Sequence, residues 1–397
     1  MNHYKKNLVL FGTYSVLTSV LYIDAIFALF AFENGLSITQ LMLIGTISGI
    51  TVILTEIPTG IISDKYSRKI SFLISAILRL ISIILYIFGS FYIGSVFMAL
   101  GAVFSSGTDS AYLYDLLKKY NQENEFQEID GRIRSYTFYY MGFVAVISGF
   151  LYDLNIYIPF FATIGTFVIA IVITIFLEDD KTISKSNKSK GHFEILKLSI
   201  TMLKTPKIFD VTFLFVFIMS IIQIIKGYDQ PFMYEIELSS TQFGIVFFVL
   251  SAIAGFFSKR SKRITLKLKN HSTNTLVLGL GILTLSLFFI NNLWGIIILI
   301  TLSIIRGISG PYFYTKLNNN IPSENRATLI SCASLLVNLV MAVMSPLTGL
   351  IADNFGLKFT YLFISCIVFS YFLITKFSFY KRKEKFENNI VRDINEK

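Results

Sequence analysis

The sequence has few charged residues. Asp, Glu, Lys and Arg make up 15% of the 397 positions, whereas soluble globular domains carry roughly 25%. Hydrophobic residues make up 54%, and the mean hydropathy is +0.64. A soluble chain of this composition would expose much apolar surface to water. The composition therefore excludes an ordinary soluble domain and predicts that most of the chain lies in lipid.

Cysteine and histidine are also scarce, which argues against metal, disulfide and histidine-based chemistry. Cys332 and Cys366 lie in apolar runs without CxxC or Cys/His spacing. The three histidines, His3, His192 and His271, lie in polar segments. The sequence also lacks a phosphate-binding loop and a nucleophile elbow. We therefore predict no metal, no cofactor, no ATP hydrolysis and no enzymatic activity.

The net charge of +10 does not indicate a nucleic-acid partner, because the basic residues lie in short segments between apolar runs. Lys5 and Lys6 precede an apolar stretch at 8–32. That stretch is too long for a signal peptide and lacks a cleavage site with small residues. It predicts a first spanning helix that stays in the mature protein.

Twelve apolar runs reach the length of about 20 residues that a spanning helix needs. We number them span 1 to span 12, at 8–32, 40–62, 70–90, 93–117, 134–152, 157–177, 208–228, 241–258, 274–290, 293–316, 327–350 and 357–379. The sequence thus predicts an all-α membrane protein of twelve transmembrane helices in two pseudo-symmetric six-helix halves. The predicted domains are an N-terminal half (1–177), a cytoplasmic linker (178–207), a C-terminal half (208–380) and a cytoplasmic tail (381–397).

The distribution of Lys and Arg predicts the orientation. If the N-terminus is cytoplasmic, the cytoplasmic segments hold 31 of the 35 Lys and Arg residues, and the outer loops hold only Lys358. This asymmetry places both termini and the linker in the cytoplasm. The abundance of Ile, Lys and Asn is typical of AT-rich bacterial genomes, so the expected location is the inner membrane of a bacterium.

A short Gly-x-x-x-Asp pattern recurs at the ends of spans 2, 5 and 11, and span 8 has Lys in place of the acid. The four copies are Gly60–Asp64, Gly149–Asp153, Gly255–Lys259 and Gly349–Asp353. One copy is a weak signal, but four copies in register indicate an internal repeat. Spans 2 and 8 end inside, whereas spans 5 and 11 end outside. Inverted three-helix units within parallel halves are typical of a large class of secondary transporters.

The loop after span 2 reads Gly60-Ile-Ile-Ser-Asp64-Lys65-Tyr-Ser-Arg68-Lys69. A glycine allows close helix approach, an acid can cap a neighbouring helix, and cations can bind anionic headgroups. The loop resembles the major facilitator superfamily signature G-x-x-x-D-[RK]-x-G-[RK]-[RK], with Ser67 in place of the second glycine. Helix count, central linker and repeat extend the resemblance along the whole chain, which looks most like bacterial twelve-helix drug and metabolite exporters.

The resemblance implies a gating role for this loop. In that family the acid and the arginine of the loop pair with an acid near the inner end of span 4, where this chain has Asp115. The implied gating motif is Gly60, Asp64, Lys65, Arg68, Lys69 and Asp115. The alternative is that the cations of the loop only determine topology.

Charged residues inside apolar spans are costly and are functional candidates by default. The five assigned to the substrate or proton pathway are Asp24, Glu56, Asp109, Lys226 and Arg306. In the resembled family, spans 1, 4, 7 and 10 line the central cavity. Asp24 and Lys226 are predicted to bridge an outer gate, with Asp229 as a competing partner for the lysine.

Asp109 and Arg306 are predicted to face the cavity at mid-depth. A carboxylate shielded from water can carry a proton near neutral pH, and an arginine can hold an anionic or polar substrate group. Arg79 lies at a similar depth on the adjacent span and is a candidate for a structural ion pair with Asp109. If Arg79 neutralises Asp109, the aspartate is less suited to carry a proton.

The predicted function is secondary active transport by alternating access, as proton-coupled efflux of a small amphipathic molecule or drug. Span 5 lacks the proline of the glycine-proline motif that many antiporters of the resembled family carry. Import of a metabolite and facilitated diffusion therefore stay open, as does a non-transporting membrane receptor. The expected partners are a small-molecule substrate, protons and the lipid bilayer, and the expected state is a monomer.

Overall fold

The computed structural model describes the backbone of residues 3–65, 67–106, 108–178, 205–320 and 326–395. Side chains are described in these ranges except at 3, 57, 60–65, 127, 206–207, 270, 326–328, 331 and 377–395. Most of the predicted linker thus lies outside the described residues. Within these ranges the regular structure is helical throughout. Eleven helices are long and apolar enough to cross a membrane. Span 1 consists of two shorter consecutive helices, so the architecture agrees with twelve crossings.

The first six spans have the following helical bounds: span 1, His3–Ser19 and Phe27–Glu33; span 2, Ile38–Lys65; span 3, Arg68–Ile87; span 4, Phe91–Ser105 and Thr108–Lys119; span 5, Phe126–Leu154; span 6, Ile158–Phe176. The last six are span 7, Pro206–Gly227 and Asp229–Glu235; span 8, Ser240–Leu268; span 9, Ser272–Phe289; span 10, Gly295–Asn318; span 11, Arg326–Phe355; span 12, Leu357–Asn395. Several helices extend beyond the apolar runs, because polar residues continue a helix once it has left the lipid. We call the side on which residues 63–69 and 259–269 lie the inner side.

Local capping explains where some spans begin. Ser67 has φ −72° and ψ 149°, and its hydroxyl accepts a hydrogen bond from the N–H of Ile70 at 3.4 Å. It is therefore the N-cap of span 3, and its negative φ does not require the glycine of the family signature. Span 8 begins with a capping box between Ser239 and Gln242.

Three spans are interrupted at membrane depth, which the apolar runs did not predict. The interruptions lie between Ser19 and Phe27 in span 1, between Ser105 and Thr108 in span 4, and at Tyr228 in span 7. Non-helical backbone is tolerated within a membrane where it is buried in protein or lines a cavity. Gln230 satisfies two polar groups of span 1: its Oε1 accepts from the N–H of Ala28 (2.9 Å), and its Nε2 donates to the carbonyl of Asp24 (2.8 Å).

The two sets of six spans pack against each other along spans 2 and 11 and along spans 5 and 8. Glycines bring the backbones into direct contact there. A Cβ on Gly149 of span 5 would collide with the carbonyl of Ser240, and one on Gly349 of span 11 would lie 2.8 Å from Cα of Thr39. Such close approach is how glycine supports helix packing in lipid, where burial of apolar surface supplies little driving force.

Candidate functional site

A cavity of about 670 Å³ lies between the two sets of spans, beside the interruptions of spans 1 and 7. This volume falls within the roughly 300–1,000 Å³ of small-molecule sites. Its lining includes four methionines and three aromatic residues. The longer polar side chains in its wall are Asp24, Gln223, Lys226, Asp229, Gln230 and Asn338. Methionine adapts to differently shaped apolar groups, while a few polar groups can orient a ligand.

Asp24 and Lys226 both have exposed side chains that line this cavity. The carboxylate of Asp24 accepts a hydrogen bond from the N–H of Leu21 at 2.9 Å, within the interruption of span 1. Lys226 lies in the last turn of the first helix of span 7. Although each influences the other electrostatically, they form no ion pair within 4.0 Å in the described part of the chain.

Arg306, which the sequence predicted as a substrate contact, forms a bidentate ion pair with Asp229. The Nη2–Oδ1 distance is 2.6 Å, and Nη1 donates to Oδ2. The two side chains are only 9% and 10% exposed. Asp229 lines the cavity, so this neutralised pair is part of its wall. Sequence reasoning named Asp229 only as a partner for Lys226, because the spacing of 77 residues contains no signal for the pair.

Asp109 lines a separate, smaller cavity of about 220 Å³ within the first six spans. Asp130 and Arg134 of span 5 also line it and form an ion pair with an Nε–Oδ2 distance of 2.6 Å. Ser19 lines both cavities, so Asp109 lies next to the central cavity and not in its wall.

Arg79 does not pair directly with Asp109, contrary to the prediction. It donates from Nη1 to the carbonyl of Thr18 (2.8 Å) and from Nη2 to Oγ of Ser105 (3.0 Å). These acceptors lie at the C-terminal ends of the first helices of spans 1 and 4, where a cation is favoured by the helix dipole. Arg79 thus joins two of the interrupted spans.

The predicted gating motif is described in part. Arg68 forms an ion pair with Asp115 and also donates to the carbonyl of Ala111, so the loop contacts span 4 as the resemblance implies. Lys69 donates to the carbonyls of Ile175 (2.7 Å) and Leu177 (2.9 Å) at the end of span 6. The side chains of Asp64 and Lys65 and the surroundings of Gly60 lie outside the described residues.

Glu56 completes the predicted pathway residues, and the structure does not bring it to the site. Its side chain is exposed on span 2, and it is not part of the lining of the central cavity. The four other pathway residues lie in or beside the two cavities or in the Arg306–Asp229 pair.

Two aspartates that the repeat singled out close the outer side. Asp153 at the end of span 5 accepts hydrogen bonds from the hydroxyls of Ser240 and Thr241, at the start of span 8. Asp353 at the end of span 11 accepts from the N–H groups of Ile38 and Thr39, at the start of span 2, both at 2.9 Å. We call these two contacts the outer caps.

The outer caps are related by the pseudo-symmetry of the chain, and each joins the first six spans to the last six. Within the described part of the chain, the polar contacts between the two sets lie at the outer ends or near mid-depth. In the described part of the chain the predicted bridge between Asp24 and Lys226 is not formed, and the outer caps are polar contacts that join the two sets of spans on the outer side.

Comparisons with known proteins agree with this architecture. The family described as Major Facilitator Superfamily matches residues 8–340. An uncharacterized MFS-type transporter of Bacillus subtilis (strain 168), YxaM, is 22% identical in an alignment of 381 residues that covers 92% of this chain and 92% of that one.

Solved structures of low sequence identity share the fold. A mutant of the nucleoside transporter NupG has a TM-score of 0.76 and 11% identity, and the alignment covers 94% of this chain and 99% of that one. A bacterial homologue of the human lysosomal transporter Spinster, inward-facing and occupied, has a TM-score of 0.69 and 12% identity, with 95% and 97% covered.

Proposed function

This chain belongs to the major facilitator superfamily, and we propose that it exports a small amphipathic molecule in exchange for protons by alternating access. The observation that carries the proposal is the central cavity, whose wall contains a carboxylate and a lysine that are not paired with each other. Because the outer caps join the two sets of spans on the outer side, we infer that this cavity opens to the inner side. The fold makes the chain a multi-pass membrane transporter; direction and coupling are the proposed steps.

Alternating access requires contacts that close one side and can be exchanged for contacts that close the other. The outer caps supply the first set, at the two places where spans of opposite halves meet. The Arg68–Asp115 pair lies at the inner end, in the motif to which the family resemblance assigns the other closure. We propose that the outer caps break as the inner side closes. The inner side is the cytoplasmic side in this proposal, and both termini lie there.

Proton coupling is assigned to Asp24. Its carboxylate lies within the interrupted part of span 1, faces the cavity and has no ion-pair partner within 4.0 Å in the described part of the chain. A carboxylate that is alternately exposed to the two sides can take up a proton on one side and release it on the other. Asp109 lies behind Ser19 in the adjoining cavity and is the second candidate carrier.

The apolar part of the wall supports export. Met42, Met98, Met141 and Met341 can accommodate the apolar part of an amphipathic molecule. This wall suits the amphipathic substrates that the resemblance to bacterial exporters implies. A bacterial inner-membrane location follows from the same proposal.

A second candidate is uptake of a hydroxylated metabolite. Gln223, Gln230 and Asn338 provide amide groups in the cavity wall, and the structural neighbour NupG is a nucleoside transporter. Proton symport through Asp24 would serve this function with the same residues.

The test is transport by the purified protein in proteoliposomes under an imposed pH gradient, with internal pH and substrate content followed together. Amphipathic amines, amphipathic zwitterions and nucleosides form the substrate panel. Export predicts that an amphipathic substrate and protons move in opposite directions, and uptake predicts that a nucleoside and protons move together. Asp24→Asn should abolish the proton movement and the uphill flux while leaving downhill exchange.

Glu128→Gln is the matched control, since Glu128 is an exposed acid that pairs with Arg132 on its own helix. Uphill flux of the parent protein without proton movement, or unchanged coupling in Asp24→Asn, would contradict the coupling assignment.

A further inference from the structure

The central cavity holds one negative and one positive charge that face it without forming an ion pair. Asp24 and Lys226 come from spans of opposite halves, and both side chains are exposed to the cavity. The third and fourth charges near this site, Asp229 and Arg306, neutralise each other in the wall. The remaining formal charge of the cavity is therefore one acid and one base, with a net charge of zero.

Opposite charges in an enclosed site attract each other strongly, so a separation between them needs a structural cause. Asp24 is held by the N–H of Leu21, within the interruption of span 1. Lys226 lies at the C-terminal end of a helix, where the helix dipole stabilises a cation. Gln230, four residues further along, anchors the span 1 interruption to span 7 through its two hydrogen bonds. Both charges are thus positioned by the interrupted backbone.

A site with a separated acid and base suits a ligand that has one positive and one negative group, because the positive group can lie at the acid and the negative group at the base. We propose that the substrate is an amphipathic zwitterion, with its ammonium group at Asp24 and its carboxylate or phosphate group at Lys226. The apolar part of this substrate lies against the methionines of the wall. A molecule with only a positive charge would leave Lys226 uncompensated, and one with only a negative charge would leave Asp24 uncompensated. This substrate class rests on the transport function proposed above.

The same geometry gives the coupling an electrical signature. The ammonium group and a proton compete for the carboxylate of Asp24, so binding of one favours release of the other. Exchange of a zwitterion of zero net charge for one proton moves one positive charge across the membrane per cycle. Exchange of a monovalent cation for one proton moves no net charge.

The first experiment compares three charge forms of each scaffold. The probes are phenylalanine and leucyl-leucine, which are zwitterions, together with their methyl esters, which are cations, and their N-acetyl forms, which are anions. Binding is measured with the purified full-length protein by thermal shift and by competition against any transported probe. We expect a zwitterion to bind about 10- to 100-fold more tightly than the ester or N-acetyl form of its own scaffold, as hydrogen bonds to charged groups predict.

Two variants assign the contacts. Lys226→Gln should remove the preference of the zwitterion over its ester, and Asp24→Asn should remove its preference over the N-acetyl form. Lys358→Gln, which changes an exposed lysine in the first turn of the helix of span 12, should alter neither preference. Because each readout is a ratio within one protein, a variant with lower yield still gives an answer.

The second readout is the effect of a membrane potential, set with potassium and valinomycin at zero pH gradient. A potential that is negative inside the vesicles should drive net exchange of a zwitterion for protons. If esters bind best, or if exchange ignores the potential, the substrate class is wrong while transport stands. If no probe of any charge form binds or moves while a nucleoside is transported with protons, the zwitterion proposal fails and the uptake function replaces it. If no panel compound is transported at all, the proposed function itself fails.

Discussion

Removal of an outer cap should shift the protein towards the state that opens outward. Asp353 accepts two backbone hydrogen bonds from Ile38 and Thr39, both at 2.9 Å, and so connects span 11 to the N-terminus of span 2. In Asp353→Asn one oxygen is replaced by an amide that faces a backbone N–H donor, and the charge at the helix N-terminus is lost. Because these contacts join opposite sets of spans, they stabilise the closed outer side and are absent once it opens.

The expected magnitude follows from the two hydrogen bonds. Hydrogen bonds to charged groups contribute about 1.5–3 kcal/mol each, and a charge at a helix N-terminus contributes about 0.3–1 kcal/mol. Since asparagine retains one acceptor, we take a net loss on the order of 2 kcal/mol, which changes the ratio of the two states roughly 30-fold. An outward-open population of about 1% would then rise to about a quarter of the molecules.

The assay is a distance distribution between spin labels on the outer ends of the two sets of spans. Phe88 and Trp294 are exposed at outer ends and are suitable label sites once replaced by cysteine, in a background without Cys332 and Cys366. The parent should show one main short distance, and Asp353→Asn should add a longer one.

Glu235→Gln is the matched control for this assay. Glu235 is an outer acid that accepts a hydrogen bond from Asn291 at 2.6 Å, and both residues belong to the last six spans. Its loss should leave the distances unchanged. A folded Asp353→Asn protein with the parental distribution would refute the assignment of the outer caps as the closure, and Asp153→Asn should reproduce the shift independently.

Two further predictions concern helix packing and the buried ion pair. Gly149→Val should separate spans 5 and 8, because its Cβ would collide with the carbonyl of Ser240; the same labels should report a longer distance, and an unchanged distance would show that the contact can relax. Arg306→Met should lower the unfolding free energy by about 3–5 kcal/mol, since it leaves Asp229 charged and buried, whereas the double variant with Asp229→Met should recover most of that loss. Thermal unfolding in detergent measures the stability of the single and the double variant. A double variant no more stable than Arg306→Met would contradict the pairing.

The number and order of the spans were predictable because each is a local property of the chain. Runs of about 20 apolar residues have few alternatives to a spanning helix. The interruption at 20–26 was not predictable from hydropathy, because six of its seven residues are hydrophobic. The interruption of span 4 lies in a polar sequence, Ser105-Ser106 before Thr108, which the count of apolar residues over the whole run did not single out. Hydropathy indicates which residues lie in lipid. It contains no information on the backbone groups of span 1 to which the side chain of Gln230 forms hydrogen bonds.

The sequence predicted which charged residues belong to the candidate site, but it did not predict which of them form ion pairs or hydrogen bonds with each other. Charges in apolar runs drew attention to Asp24, Lys226 and Arg306, and the first two line the cavity. The partner of Arg306 was missed, since an ion pair between spans 7 and 10 depends on how those helices pack. Asp153 and Asp353 carried a signal in the repeat, but only the structure shows that each contacts the opposite set of spans.

The amino-acid sequence alone predicted that the chain lies in a membrane, that it has about twelve spans, and that one motif recurs at the ends of spans 2, 5, 8 and 11. Composition, run length and repeated motifs specify these properties because the lipid acts on each segment separately. The tertiary structure decided which charges are neutralised, which face the cavity and which side is closed. Those outcomes depend on the distances between groups on different spans, over which electrostatic and hydrogen-bond energies change steeply.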